Sequence, residues 1–139
     1  MKFQPSVLLV DGNSVEEELV RKAITNSETD CTLRVASDGI DACKILFESG
    51  NKLPSFILVE LNAPRLNAFE LLTLIRKRPE TSRVPIIVLS RTGDDTDVSR
   101  CLDLGANSFV QKDVDLDLYE ARLKLLLYYW IAVNRNVNT

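Results

Sequence analysis

Four side chains of this sequence could do chemistry together if one place held them: the carboxylates of Asp11 and Glu60, the hydroxyl of Ser90 and the ammonium of Lys112. Each stands at or just past the end of a short, mostly apolar run. Asp11 closes Val7-Leu8-Leu9-Val10, and Glu60 closes Phe56-Ile57-Leu58-Val59. Ser90 closes Pro85-Ile86-Ile87-Val88-Leu89, and Lys112 follows Ser108-Phe109-Val110 after one residue. A carboxylate directly after four apolar residues is partly desolvated and needs a partner. Lys112 is the candidate partner for Glu60. Taken singly, Asp11 suits a helix cap as well as a functional site, and Ser90 suits a local turn. The constellation is more specific than any member. The chain has no histidine, so His-based catalysis and most transition-metal sites are excluded.

The elements that must position these residues alternate. The runs after which they stand are short, apolar and bounded by turns, which suits strands buried on both faces. Thr32 to Ala36 reads as one more such strand, and Ser108 to Val110 as a weak fifth. Between them lie helical patterns. Val15, Leu19, Val20, Ala23 and Ile24 recur at helical spacing, with Ser14 as N-cap and Glu17 three residues on. Ser37-Asp38 caps a helix carrying Ile40, Cys43, Leu46 and Phe47, which stops at Gly50. Phe69, Leu72 and Ile75 share one face of a third helix after Pro64. Val98, Cys101 and Leu102 mark a shorter helix ending at Gly105, and a long last helix runs from about Leu116 to about Val133. Five strand-helix units predict an α/β fold, a doubly wound five-stranded parallel sheet. Right-handed crossovers then leave few topologies, and the loops after the strand C-termini form the site.

Composition narrows the classes of function. At 139 residues the chain has the length of one domain and can bury a core without disulfides or metal. A formal net charge of -3 gives no electrostatic case for nucleic acid. The three cysteines, Cys31, Cys43 and Cys101, are far apart and fall in apolar patterns. They read as reduced core residues of a cytoplasmic protein. The N-terminal apolar run is too short for a signal peptide, and Leu125 to Val133 is too short to cross a bilayer.

From about residue 5 to 132 the chain resembles bacterial response-regulator receiver domains of two-component signalling. The stretches VLLVDGN, FILVELNAPRLNAFELL, VPIIVLSRT and GANSFVQK carry the resemblance, in matching order and spacing. The extended last helix with YYWIAVN looks like the single-domain regulators associated with bacterial phytochromes. The resemblance implies the flavodoxin-like (βα)5 receiver fold, with residues 1–139 as a single receiver domain and no output domain. It implies a histidine kinase or phosphorelay protein as partner, and output through a downstream protein.

The same resemblance assigns roles by position. In the family an acidic pair after strand one binds magnesium, and an aspartate ending strand three accepts a phosphoryl group. A hydroxyl after strand four and a lysine after strand five hold the phosphoryl oxygens, and an aromatic three residues before that lysine changes rotamer. Asp11, Ser90, Phe109 and Lys112 match. Gly12 stands where the second acid is expected, and Glu60 where the phosphoacceptor is expected. Asp113 replaces the usual proline after the lysine, and Ala68 a usual glycine. Magnesium needs near-octahedral oxygen ligands, so a site reduced to Asp11 and Glu60, with Asn13 as a neutral oxygen at best, is weak or absent. Glu60 carries one methylene more than aspartate, and a misplacement of about 1 Å can cost on the order of a hundredfold in rate. Both changes act against phosphoryl transfer. The expectation is a chain phosphorylated slowly or not at all. A longer carboxylate could also reach toward Ser90 and Lys112 and hold the loop near Thr92 and Phe109 as phosphorylation would. The plainer expectation is an ion pair with Lys112 and no switch.

The last helix carries its own message. From Ala121 to Val133 only Arg122 and Lys124 are charged. Leu116, Tyr119, Leu123, Leu126, Leu127 and Trp130 make one apolar face, enough to cover the sheet. Leu125, Tyr128, Tyr129 and Ile131 then lie on the other side. A helix apolar all round is buried on both sides, which predicts a homodimer or a docked partner. Two other functions compete. A haloacid-dehalogenase-type phosphatase would use Asp11 in Asp11-Gly12-Asn13 and the later Gly93-Asp94-Asp95, but Asn13 is no general acid and Lys112 comes after the acidic pair instead of before it. A flavodoxin-type flavin carrier needs a phosphate-cradling first loop, whereas Glu16, Glu17 and Glu18 would repel phosphate.

Overall fold

The computed structural model describes residues 4–48 and 50–136. Five parallel strands form one sheet in the order β2-β1-β3-β4-β5. They are β1 (Ser6–Val10), β2 (Thr32–Ala36), β3 (Phe56–Glu60), β4 (Ile86–Ser90) and β5 (Ser108–Gln111). The helices are α1 (Ser14–Asn26), α2 (Gly39–Phe47), α3 (Ala68–Lys77), α4 (Asp95–Asp103) and α5 (Leu116–Tyr128), which runs into a π-helical turn, Tyr129–Val133. The expected doubly wound sheet is therefore present. β4 starts at Ile86, one residue later than the apolar run, because Pro85 has no N–H for the ladder.

Alternation along each strand divides the core in two. Leu8, Val10, Ile57, Val59, Ile86 and Val88 pack against α2, α3 and Cys101 of α4. Val7, Leu9, Phe56, Leu58, Ile87 and Leu89 pack against α1 and α5. β1, β3 and β4 are apolar on both faces because helices cover both. This period of two also aims the strand-end residues. Glu60 continues the Phe56–Leu58 face toward α1 and α5, whereas Ser90 continues the Ile86–Val88 face toward α3 and α4.

Several helix details differ from the sequence pattern. Asn13, not Ser14, caps α1, its side chain accepting from Val15 N and Glu16 N. The buried stripe is then Glu16, Val20, Ala23 and Ile24, while Val15 is 55% exposed. In α3, Leu71 joins Leu72 and Ile75 in the core, and Phe69 is half-buried under the Arg100 guanidinium, 4.0 Å from its ring centroid. In α4 only Cys101 is buried, and Leu102 faces solvent. Cys31 and Cys43 are half-buried, so Cys101 alone of the three is a full core residue. Burial pushes the Cys31 and Cys101 thiols up to about 11, which keeps them unreactive.

Two contacts fix the loops that frame the sheet edge. Arg76 of α3 donates to Gly105 O, Ser82 O, Val84 O and the Asn107 side chain, tying the start of β4 to the start of β5. Gly39 N donates to Pro64 O, and a Cβ at Gly39 would lie 2.2 Å from the Leu66 carbonyl oxygen. That approach locks α2 to the β3–α3 loop, just beyond Glu60. Gly39→Ala is accordingly expected to lower unfolding stability by about 1–3 kcal/mol. Urea denaturation should show a lower midpoint at unchanged slope.

Candidate functional site

The site grows from the strand ends on the α1/α5 side. Asp11 follows β1, Glu60 ends β3, and Lys112 follows β5; Asp11 and Lys112 are buried. The Lys112 ammonium lies 2.5 Å from Glu60 Oε2, 3.4 Å from Glu16 Oε2 and 3.5 Å from Asp11 Oδ2. The geometry of Glu60 on Lys112 is that of a charge-assisted hydrogen bond. Three carboxylates therefore converge on one cation, from β1, α1 and β3.

Glu16 is the member that sequence reasoning missed. It is only 4% exposed, and its second oxygen accepts a 2.5 Å hydrogen bond from the Tyr119 hydroxyl of α5. Tyr119 had its place on the sheet-covering face of α5, and it is indeed buried there. A signal for both was present. Glu16 lies at i, i+4, i+7 and i+8 with Val20, Ala23 and Ile24, a carboxylate on an otherwise apolar stripe. A tyrosine on a buried face needs a partner for its hydroxyl.

Two titrations are displaced. Burial alone would push the Lys112 ammonium down, but the hydrogen bond with Glu60 and the charges of Glu16, Glu60 and Asp11 outweigh it, and its pKa is raised. Burial pushes the Tyr119 phenol up, and the hydrogen bond and charge of Glu16, with Glu60 and Asp11 behind, push it further the same way. Both groups thus hold their protons more firmly than in an unfolded chain.

The side chains of the other expected residues take no part in these ion pairs, although Lys112 N donates to Ser90 O at 2.7 Å. Ser90 is buried, but its Oγ accepts from Thr92 N at 3.2 Å, and among the described residues no hydrogen bond joins it to Glu60. Strand parity explains the separation. Phe109 is half-buried on the α3/α4 side, and its ring meets Gly93. Gly93 has φ +138, and a Cβ there would lie 2.7 Å from the ring's Cζ. Only glycine lets the β4–α4 loop close on the ring in this way. The reach of Glu60 toward Ser90 is thus not realised, and its reach toward Lys112 is.

The residues do not fit a magnesium ion. Gly12 supplies no side-chain oxygen, and a Cβ there would stand 3.0 Å from the Ser37 carbonyl oxygen. Asn13 spends its Oδ1 capping α1, so it is no metal ligand. Asp11 Oδ1 accepts from Asn13 N, and its Oδ2 faces Lys112. Among the described residues no group of three or more Asp, Glu, Cys or His side chains is arranged to hold a metal. The space between the carboxylates belongs to the ammonium.

On α5, Leu125, Tyr128 and Tyr129 face solvent as expected, but Ile131 packs inward on the α1/α5 core. The π-helical turn changes the angular spacing after Tyr128 and rotates Ile131 out of the outer face. Leu116 goes the other way and is exposed. Trp130 is half-buried, 6.4 Å from Phe56 between ring centroids, with Tyr129 edge-on at 5.1 Å.

The raised pKa of Lys112 and of Tyr119 gives a signed expectation. A raised folded pKa contributes stability that is whole below the unfolded pKa and lost as pH rises through the folded one. The unfolded values are 10.5 and 10.0, so stability should begin to fall near pH 10 and continue downward above it. Denaturation midpoints from pH 8 to 11.5 should show this fall. It should be shallower in Lys112→Met and in Tyr119→Phe.

Comparison with known proteins agrees with this architecture. The family model for the response regulator receiver domain matches residues 7–124. The response regulator Rcp1 of Synechocystis sp. is 29% identical over 119 residues, 82% of this chain and 81% of Rcp1. A crystal structure of the Mn(2+)-bound form of Rcp1 superposes with a TM-score of 0.89 at 25% identity, over 95% of this chain and 98% of that one. The phosphorylated cyanobacterial phytochrome response regulator RcpA shares the fold with a TM-score of 0.91 at 24% identity, over 97% and 99% of the two chains. A strand order of β2-β1-β3-β4-β5 and a family-model match over most of the sequence lead to one assignment: the chain belongs to the response regulator receiver domain family.

Proposed function

We propose that this receiver domain signals by protein contact and does not depend on a phosphoryl group at the acceptor position. The 2.5 Å ion pair between Glu60 and Lys112 carries the reading. The lysine that would hold phosphoryl oxygens is already held by a side chain of the protein. Asp11 and Glu16 face the same ammonium, so three carboxylates meet one cation. An acyl phosphate on Glu60 carries about two negative charges where the carboxylate carries one, so it would add about one more to that space. With glycine at position 12 there is no second acid to help hold a metal ion that would offset it. RcpA has been crystallised phosphorylated and Rcp1 with Mn(2+); Gly12 and Glu60 set this chain apart from such chemistry.

Output and assembly run through α5. Leu125 is 72% exposed and Tyr128 52% exposed, side by side with Tyr129, so the outer face of α5 is apolar and unpaired. Lys124 and Glu28 flank the groove beside Leu125 and Tyr128. A two-fold axis placed between Lys124 and Glu28 would set each against its opposite charge on a second copy, which favours a homodimer. A histidine kinase or phosphorelay protein is the upstream partner, and the site of action is the cytoplasm, in keeping with the unpaired cysteines. Among the described residues no helix is long and apolar enough to cross a membrane. The phosphatase reading finds no support. Asp94 is spent capping α4, accepting from Asp97 N, and Asp11 is engaged by Asn13 and Lys112.

With acetyl phosphate and magnesium, intact mass should show no phosphoryl gain on the wild type. A stoichiometric gain would overturn the phosphorylation-independent reading. Light scattering after size exclusion should give a dimer, and Leu125→Glu should weaken it at least about tenfold. A strict monomer at high concentration would remove the homodimer.

A further inference from the structure

We propose that Glu16 and Tyr119 are positioning residues that hold Lys112 over Glu60 and tie this charge cluster to α5. The inference deepens the reading of α5 as the docking helix. It names a connection between site and surface that does not pass through Ser90 or Phe109.

Four side chains make a continuous chain across the α1/α5 side of the sheet. Glu60 of β3 meets Lys112 at 2.5 Å, Lys112 meets Glu16 Oε2 at 3.4 Å, and Glu16 Oε1 accepts from the Tyr119 hydroxyl at 2.5 Å. Each member comes from a different element: β3, the end of β5, α1 and α5. Glu16, Lys112 and Tyr119 are buried, and no buried side-chain nitrogen or oxygen among the described residues lacks a partner. Glu16 is bidentate across two elements, one oxygen for the cation and one for the phenol. It cannot swing toward either without leaving the other unsatisfied, and an unpaired buried group is costly.

The arrangement orders the cluster. Lys112 has a flexible four-carbon stem, and three carboxylates at unequal distances do not by themselves choose its position. Glu16 is set by packing, on the buried stripe with Val20 and Ala23, and by the phenol behind it. Tyr119 in turn lies one turn before Leu123 and two before Leu127, the residues that seat α5 on the sheet. Leu125 and Tyr128 stand on the opposite side of those same turns. The state of Glu60 and the seating of the docking helix are thus linked through two side chains. The aromatic Phe109 is walled off on the other face of the sheet, against Gly93.

Nuclear magnetic resonance of the full chain tests this without any phosphodonor or partner. In the wild type the Tyr119 hydroxyl proton should be visible, downfield and slow to exchange, and the Lys112 ammonium protons should be protected. Glu60→Gln touches Lys112 and not Tyr119, yet it should shift the Tyr119 hydroxyl signal. Tyr119→Phe should shift the Lys112 ammonium signal and speed amide exchange in Leu123–Leu127 by roughly tenfold. Glu16→Gln should keep the phenol hydrogen bond and release Lys112. Leu118→Ala, on the exposed side of α5, should leave all of these signals in place. If Glu60→Gln leaves the phenol signal unchanged, or Tyr119→Phe leaves the ammonium unchanged while lowering stability, the two residues are packing alone and the proposal fails. Phosphorylation of the wild type, or a monomeric state, would sink the functional reading and leave these signals as expected.

Discussion

One ammonium among three carboxylates is the constraint on which this molecule is arranged. Lys112 gathers Asp11, Glu16 and Glu60 from three elements at the C-terminal edge of the sheet. Left uncompensated, buried carboxylates at this spacing would drive one another apart or take up protons. The lysine makes their company tolerable. In doing so it occupies the crevice at which doubly wound sheets usually receive a ligand. The fold has kept its crevice and filled it from within.

The sheet decides who can take part. A parallel strand buried on both faces has no neutral side, so the parity of each strand-end residue assigns it to one of two layers. Glu60 shares its layer with α1 and α5, and Ser90 and Phe109 share theirs with α3 and α4. The family resemblance assigns these residues to one shared pocket. In this chain the ion pairs gather on one face and the Phe109 ring packs against Gly93 on the other, while the Ser90 carbonyl accepts from Lys112 N at 2.7 Å.

Much of this was readable from the chain. The strand ends stood out because apolar runs stop at a charged or hydroxyl residue, and the five runs with their intervening helical periods specified the topology. Glu16 was hidden because it sits in a run of three glutamates, which reads as a solvated face. The apolar pattern also pointed to Val15 as the first buried residue of α1, whereas the stripe begins at Glu16. Ile131 was misplaced because a sequence pattern assumes one helical period, and the chain changes period at Tyr129. Leu102 and Leu116 were expected inside because they are leucines in a periodic pattern. Leu102 is outside because α4 buries Cys101 alone, and Leu116 because it is the first residue of α5, ahead of the buried stripe Tyr119, Leu123 and Leu127.

Gly12 gives the cluster a direction in mutational space. The room that a side chain at this position would need is bordered by the Ser37 carbonyl, 3.0 Å from where a Cβ would stand. That carbonyl belongs to the turn leading into α2, so an acid at position 12 would press on that turn. The turn would have to retreat by a few tenths of an ångström first. Changing Glu60 alone meets no such wall. The two departures are therefore unequal: a change at Glu60 asks only for a new side chain, and a change at Gly12 asks the backbone of a neighbouring turn to move as well.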